Sequence, residues 1–218
     1  MAPKLYYAKM SPPCRASLLT IHALGIDVEL VPINLAEQQH LTNAFLKLNP
    51  FHTVPTLEED TFTIWDSHAI NAYLVEKYGA DDSLYPKDLA KRVVVDQRLH
   101  FDSGVLYARL KAILISIRQD GAKIVAKDKA DSLIQGFTLL ETLLEQNKFV
   151  AGDSLTIADF SIVSTVSSAN VLVPLASNRF PQILEWLSRM QALPYYKKGN
   201  QDGLDIFASE IKSKVIVR

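Results

Sequence analysis

The chain has 218 residues, of which 48% are hydrophobic and 22% are charged, and its formal net charge is -1. A chain of this length can bury a substantial core and falls between the sizes expected for one large domain and for two small ones. The composition excludes a disordered chain, a collagen-like repeat and a polybasic surface for nucleic acid. We therefore expect a globular protein that does not bind nucleic acid.

The opening residues contain no apolar run of signal-peptide length, and no later stretch is apolar for long enough to cross a bilayer. We therefore expect a cytoplasmic protein with no membrane partner. The single cysteine, Cys14, excludes an internal disulfide and a zinc site built from several thiolates, which fits a reducing compartment. No metal is expected.

Residues 1–79 alternate between strand and helix patterns. Pro12 and Pro13 suit the first turn of a helix, Gly25 suits its end, and alternating apolar residues predict the strands. The predicted strands cover residues 4–8, 28–32, 54–58 and 61–65, and the predicted helices cover residues 12–24, 41–48 and 67–78. The order βαβ followed by ββα is that of a thioredoxin-like α/β domain.

Residues 80–87 are rich in Gly, Asp, Ser and Pro, which predicts a linker. Over residues 88–218 the apolar spacing is helical, which predicts an all-α bundle as the second domain. Its predicted helices cover residues 88–118, 127–146, 156–169, 181–192 and 204–213. Thr156 and, three residues later, Asp159 predict a capping box at the start of the third of these helices.

Ser11 lies between the first strand and the first helix, where unpaired amides and the helix dipole favour an anion. A thiolate is such an anion, and because an ordinary thiol has a pKa of about 8.5, a hydroxyl that donates to the sulfur would favour the reactive form. Ser11 could instead simply cap the helix. Alternatively, Ser11-x-x-Cys14 stands in for the Cys-x-x-Cys motif of a thiol-disulfide oxidoreductase, although Cys14 lies one turn inside the helix, where a small buried residue is expected.

Further polar residues follow the ends of predicted elements on the same side of the sheet as the serine. They are His40, His52, Asp66, Ser67 and His68. Taken singly, a loop histidine is usually solvated and an Asp-Ser pair is an ordinary helix cap. Taken together, they predict a polar ligand at this edge of the sheet.

Seven segments spread over nearly the whole chain form one combined sequence pattern. They are Ser11-Pro12-Pro13-Cys14-Arg15, Leu48-Asn49-Pro50, His52-Thr53-Val54-Pro55, Asp66-Ser67-His68-Ala69-Ile70, Ser83-Leu84-Tyr85-Pro86-Lys87, Leu99-His100-Phe101 and Leu155-Thr156-Ile157-Ala158-Asp159-Phe160. In this combination the chain resembles the cytosolic glutathione transferases, most closely the insect epsilon class and next the delta class. The resemblance implies a thioredoxin-like domain that binds glutathione as co-substrate, a cis peptide bond before Pro55, a helical domain that forms most of the electrophile pocket, and a homodimer.

The same resemblance implies that Ser11 is catalytic. It places the glutathione site at Pro13, His40, His52, Thr53, Val54, Pro55, Asp66, Ser67 and His68. His40 and His52 can donate to the glycyl carboxylate, and the main chain of Val54 can pair with the cysteinyl amide as an added strand would. At the γ-glutamyl end, Ser67 can donate to the carboxylate and Asp66 can accept from the ammonium.

Two positions depart from the family pattern. Asp66 stands where glutamate is usual, so the side chain is one methylene shorter. His68 replaces the arginine common in the delta class, which favours the epsilon class.

The resemblance also implies a second-substrate pocket. Its expected lining is Leu35, Tyr107, Leu110, Lys111 and Leu114, the last four at helical spacing. Ordinary packing is the alternative for these side chains. The predicted activity is conjugation of the glutathione thiolate to hydrophobic electrophiles in detoxification, with hydroperoxide reduction or dehydrochlorination as further reactions. The alternative function is non-catalytic binding or sequestration of hydrophobic ligands.

Overall fold

A computed structural model describes residues 2–215 of the chain. The two predicted domains, residues 1–79 and 88–218, include Met1 and residues 216–218, which lie outside the described residues. The strands are β1 (Lys4–Tyr7), β2 (Glu29–Pro32), β3 (Thr56–Glu59) and β4 (Phe62–Trp65). They form one mixed sheet in the order β2-β1-β3-β4, in which β1 runs parallel to β2 and antiparallel to β3. The predicted thioredoxin-like arrangement is confirmed.

Three helices accompany this sheet. They are α1 (Pro12–Leu24), α2 (Asn43–Leu48) and α3 (Ser67–Tyr78). α1 has proline in its first turn and ends at Gly25, whose φ of 63° is the left-handed conformation that glycine adopts readily. α2 begins two residues later than predicted, because residues 39–41 form a 3₁₀ turn and Thr42 then accepts from the N–H of Phe45.

The strand β3 begins at Thr56 rather than at the predicted residue 54. The peptide bond between Val54 and Pro55 is cis, as the resemblance implies. Proline has no N–H to give to the strand ladder, so regular pairing begins after it. The two residues before β3 are therefore free of the sheet.

The second domain contains six α-helices within the described residues. They are α4 (Leu89–Phe101), α5 (Tyr107–Arg118), α6 (Lys127–Leu144), α7 (Ile157–Leu172), α8 (Pro181–Gln191) and α9 (Asp202–Lys214). The single helix predicted over residues 88–118 is two helices joined by a π-helical turn at Asp102–Leu106. A second π-helical turn, Lys197–Gln201, leads into α9, which begins two residues earlier than predicted. None of the helices described is both long and apolar enough to cross a bilayer.

The centre of the helical domain is α7, which is buried on all sides. Its first turn carries the predicted link between Thr156 and Asp159, in which Oδ2 of the carboxylate accepts the N–H of Thr156 at 2.9 Å. Oδ1 accepts from the N–H of Val150 at 2.9 Å and from Nε1 of Trp186 at 3.0 Å. Burial raises the pKa of Asp159 to about 6, against the opposing effect of these hydrogen bonds.

The two domains meet where α1 packs on α7. One face of α1 also covers the sheet, in a small core of Leu5, Leu18, Ile21, Leu57, Ile70 and Leu74. α1 therefore connects the first domain to the second, and its N-terminus opens toward the space between them.

Candidate active site

A cavity of about 460 Å³ lies between the domains at the N-terminus of α1. Many of the predicted site residues line it, namely Pro13, Thr53, Val54, Pro55, Asp66, Ser67, His68, Tyr107 and Lys111. Predicted site residues that are far apart in the sequence therefore lie together on one concave surface. Such a surface with a few convergent polar groups is the usual form of a small-molecule site.

Ser11 immediately precedes α1 and lies beside the cavity rather than in its lining, and its side chain does not cap the helix. Its backbone is extended, with φ -73° and ψ 126°, and its hydroxyl makes no capping hydrogen bond. The helix begins through the main chain, where the carbonyl oxygen of Ser11 accepts from the N–H of Arg15 at 3.0 Å. The interpretation of Ser11 as a plain side-chain cap is therefore not what the structure shows.

Cys14 is a buried thiol that has no access to solvent. Burial raises its pKa to about 11, although the N–H of Ala8 and the hydroxyl of Ser11 act in the opposite direction. A thiol that stays protonated and buried is a poor nucleophile. The Ser11-x-x-Cys14 segment is thus unsuited to thiol-disulfide exchange.

The loop before β3 presents an unpaired piece of main chain to the cavity. Neither the N–H nor the C=O of Val54 bonds to another main-chain group within residues 2–215. The buried amide of Asn49 holds this loop, donating to the carbonyl oxygen of Thr53 at 3.1 Å and to the hydroxyl of Thr56 at 3.0 Å. The loop is therefore fixed in place while Val54 keeps its hydrogen-bonding groups for a ligand.

Asp66 and Ser67 begin α3 at the opposite wall. Asp66 has a φ of 76°, a conformation that costs energy in a residue other than glycine. Its Oδ1 accepts from the N–H of His68 at 2.9 Å, so one oxygen of Asp66 serves as an ordinary helix cap. Oδ2 has no hydrogen-bond partner in the part of the chain that the structure describes. The hydroxyl of Ser67 stands at the helix N-terminus, where an anion is favoured.

Asp102 belongs to this wall although the sequence patterns did not single it out. Its Oδ2 lies 3.2 Å from Nε2 of His68, and its Oδ1 is buried without a partner among the described residues. A signal was present, because Asp102 occupies the buried face of its helical stretch together with Val95, Leu99 and Leu106. A carboxylate on an apolar face is expected to have a specific partner.

His40 and His52 lie together beside the cavity rather than in its lining. Their ring centroids are 6.2 Å apart, and His52 immediately precedes Thr53, which does line the cavity. Burial and the neighbouring His52 lower the pKa of His40, so His40 is neutral at neutral pH. Leu35 is half-buried and is also absent from the lining.

The predicted aliphatic wall on α5 is not found at the cavity. Leu110 and Leu114 are 0% and 6% exposed and belong to the core of the helical domain. The cavity wall on α5 is formed instead by Tyr107 and Lys111, and burial raises the pKa of Tyr107 to about 12, which leaves a neutral hydroxyl. This end of the cavity is therefore more polar than expected, because the leucines are needed to pack the helices together.

Two family models match the chain. The glutathione S-transferase N-terminal domain matches residues 5–82, and the glutathione S-transferase C-terminal domain matches residues 106–194. Glutathione S-transferase 1 of Manduca sexta is 43% identical over 217 residues, which is 99% of this chain and 100% of that protein. The chain belongs to the glutathione S-transferase family.

Solved glutathione S-transferases superpose closely on this chain. An epsilon-class glutathione S-transferase from the housefly, Musca domestica, is 47% identical with a TM-score of 0.95, covering 97% of this chain and 98% of that one. A glutathione transferase homolog from Drosophila mojavensis with bound glutathione is 41% identical with a TM-score of 0.95, covering 99% of each chain. These matches confirm the predicted fold, the transferase activity and the resemblance to the epsilon class, and none supports the non-catalytic alternative.

Proposed function

We propose that this glutathione S-transferase binds glutathione along Val54 and activates its thiol with the hydroxyl of Ser11. The observation that carries the proposal is the unpaired main chain of Val54 at the cavity, since a peptide ligand can add to it as a short strand. Glutathione laid along Val54 would bring its sulfur toward the N-terminus of α1. There the hydroxyl of Ser11 donates to the thiolate, and the helix dipole favours the same charge.

The two ends of glutathione meet different polar groups. The γ-glutamyl carboxylate would accept from the hydroxyl of Ser67, and its ammonium would face Oδ2 of Asp66 and the buried Oδ1 of Asp102. The glycyl carboxylate would accept from His52 and from the N–H of a neutral His40. The cavity thus offers acceptors to the amine and donors to both carboxylates.

The second substrate would lie toward α5, between Tyr107 and Lys111. The thiolate attacks an electrophilic carbon, a carbon–sulfur bond forms, and the electron pair leaves with a halide or moves to an oxygen conjugated to that carbon. The neutral hydroxyl of Tyr107 can donate to such an oxygen. Hydroperoxide reduction and dehydrochlorination would use the same thiolate with a different partner.

The test is turnover of glutathione with a chloronitrobenzene, an unsaturated aldehyde, cumene hydroperoxide and an organochlorine, by the wild-type enzyme and by Ser11→Ala. We expect conjugation by the wild-type enzyme. In Ser11→Ala the rate at neutral pH is expected to fall by about 10²- to 10³-fold, the size of the loss when one positioned donor is removed. The pH dependence of kcat/KM should move upward. An unchanged pH profile in that variant would reject the role of Ser11.

We also propose that the enzyme is a homodimer that removes electrophiles in the cytoplasm. Large apolar side chains stand exposed on both domains: Phe51 is 63% exposed in the first, and Leu89 and Val93 on α4 are 74% and 50% exposed in the second. Exposed apolar groups of this kind favour an interface in which the first domain of one subunit meets the second domain of its partner. The single buried cysteine is compatible with a reducing compartment.

A further inference from the structure

Arg15 is a buried cation one turn inside α1. None of the residue is exposed to solvent. Nη2 donates to the carbonyl oxygen of Ser164 at 3.1 Å and to the hydroxyl of Ser168, and Nη1 donates to Oδ1 of Asn200 at 2.6 Å. A longer contact of 3.4 Å joins Nη1 to the hydroxyl of Ser167. All of these acceptors are uncharged groups of the helical domain.

The charge of Arg15 is therefore not cancelled where it lies. A buried charge is costly unless a group of opposite charge stands beside it, yet within residues 2–215 Arg15 takes part in no ion pair. Burial lowers the pKa of the guanidinium to about 10, which still leaves it protonated at neutral pH. Neutral donors could join the two domains by hydrogen bonds. The positive charge of Arg15 is therefore not explained by its hydrogen bonds alone.

Arg15 lies close to the proposed position of the glutathione sulfur. Its amide N–H donates to the carbonyl oxygen of Ser11, so the two residues are one helical turn apart, which is about 6 Å along the axis. Pro13 and Ala16, from the same turn, line the cavity. The guanidinium and the cavity thus lie on different sides of one turn of α1.

The helix α7 also has one face toward the cavity and another toward the guanidinium of Arg15. Ser161 and Thr165 line the cavity, whereas Ser164 and Ser168 of the same helix hold the guanidinium. None of these four residues is more than 2% exposed. Because buried protein rather than water fills the space between, the field of Arg15 is only weakly screened on its way to the cavity.

We propose that Arg15 is a positioning residue whose buried charge favours the thiolate form of glutathione bound beside Ser11. This inference rests on the proposed function, because it requires the sulfur of glutathione to lie at Ser11. Arg15 touches neither the substrate nor the reacting atoms, and its charge adds to the dipole of α1 and to the hydrogen bond from the serine. Groups on opposite sides of a helix are about one helix diameter, or about 10 Å, apart. At that distance and an effective dielectric constant of about 20, a unit charge lowers the pKa of a thiol by about one unit.

The sharpest test is Asn200→Asp, which leaves Arg15 in place and sets a carboxylate of nearly the same shape against its guanidinium. We expect the pKa of the enzyme-bound glutathione thiol, followed by the ultraviolet absorbance of the thiolate, to rise by about one unit. Below that pKa, kcat/KM should fall about tenfold. Asn200→Ala is the control for the loss of the side chain, because it removes the hydrogen bonds that join Asn200 to Arg15, Ser167 and Tyr196 without adding a charge, and it should leave the thiol pKa at the wild-type value.

One variant of the arginine completes the experiment. Arg15→Met removes the cation and should raise the thiol pKa, whereas lysine is unsuitable as a replacement because a buried, unpaired ammonium group readily loses its proton. The inference is overturned if Asn200→Asp leaves the thiol pKa unchanged, or if Asn200→Ala raises it equally, since Arg15 would then act as a clamp alone. If Asn200→Asp does not fold, an unchanged thiol pKa in Arg15→Met overturns it. Failure of the proposed function would look different, because wild-type enzyme would then give no thiolate signal with glutathione.

Discussion

Nε2 of His68 lies 3.2 Å from Oδ2 of Asp102, so the first turn of α3 touches the π-helical turn of the second domain at the wall of the cavity. The other oxygen of Asp102 is buried and has no partner in the described part of the chain. The pair joins the two domains at the place where the γ-glutamyl end of glutathione is proposed to bind. Asp102 is therefore expected to serve both the ligand and the position of His68.

Asp102→Asn should weaken glutathione binding while leaving the chemical step nearly intact. The amide keeps the size of the side chain but removes the charge that faces the ammonium of glutathione. Loss of one hydrogen bond to a charged group is worth about 1.5 to 3 kcal/mol, so KM for glutathione should rise at least tenfold. Steady-state kinetics with varied glutathione measures this, with Asp128→Asn, at the exposed start of α6, as the control. A normal KM in Asp102→Asn would mean that Asp102 only orients His68.

Phe51→Ser should weaken the proposed dimer. Phe51 stacks on Trp65 with 5.6 Å between ring centroids, so the exposed ring is held in a fixed position that a partner can use. Removing such an aromatic anchor typically costs about 2 kcal/mol or more of binding free energy. Sedimentation at several concentrations should show a dimer for the wild-type enzyme and a smaller particle for Phe51→Ser. Leu139→Ser, at another exposed apolar residue, should stay dimeric, and a monomeric wild-type enzyme would contradict the dimer itself.

The fold was largely predictable because its elements carry local signals. Proline in the first turn of α1 and glycine after its last turn define that helix without any tertiary information. The helix boundaries that differ from the prediction depend on features without a clear local signal. The π-helical turn at Asp102–Leu106 keeps the chain helical and the apolar spacing nearly continuous, so α4 and α5 read as one helix.

The polar residues at the domain interface were harder to predict because their partners are distant in sequence. His68 and Asp102 are 34 positions apart, and Arg15 and Asn200 are 185 positions apart. The serines of α7 do not reveal Arg15, because their hydroxyls donate to carbonyl oxygens of the same helix and need no outside partner. That Ser167 and Ser168 also accept from Arg15 depends on the packing of the domains, which no local pattern encodes.

Glu59→Gln should change the stability of the enzyme in acid. Burial opposes ionisation of Glu59, but hydrogen bonds from Lys77, Tyr73 and Tyr78 outweigh it and lower the pKa to about 2. A carboxyl with a lowered folded-state pKa contributes stability above its unfolded value, about 4.3, and this contribution is lost as the pH falls toward 2. The free energy of unfolding should therefore fall more steeply between about pH 4 and pH 2 in the wild-type enzyme than in the variant.

Urea unfolding at a series of pH values measures this difference. Glu145→Gln is the control and should follow the wild-type curve, because Glu145 is exposed and its side chain takes part in no hydrogen bond or ion pair within residues 2–215. Parallel curves for wild type and Glu59→Gln would show that the folded-state pKa of Glu59 is close to that of the unfolded chain.

Asp159→Asn should destabilise the helical domain more than the loss of one hydrogen bond would. Both oxygens of Asp159 accept from N–H groups, Oδ2 from Thr156 and Oδ1 from Val150 and Trp186. Whichever way an asparagine amide turns, its NH₂ group faces a donor, and a buried donor is left unsatisfied. We expect a loss of about 3 kcal/mol in the free energy of unfolding. Trp186→Phe removes one donor and leaves Oδ1 of Asp159 with the N–H of Val150. The hydrogen-bond part of its loss in unfolding free energy should therefore be smaller than that of Asp159→Asn.

The pH dependence of the same variant provides an independent check. Burial raises the folded-state pKa of Asp159 to about 6, above the unfolded value of about 3.9. The folded state then binds this proton more tightly, so the contribution of Asp159 to stability falls as the pH rises from about 4 to about 6. Asparagine cannot titrate, and the difference in unfolding free energy between wild type and Asp159→Asn should therefore shrink over that interval. A difference that grows with pH would mean that the hydrogen bonds to Asp159 outweigh its burial and keep it ionised.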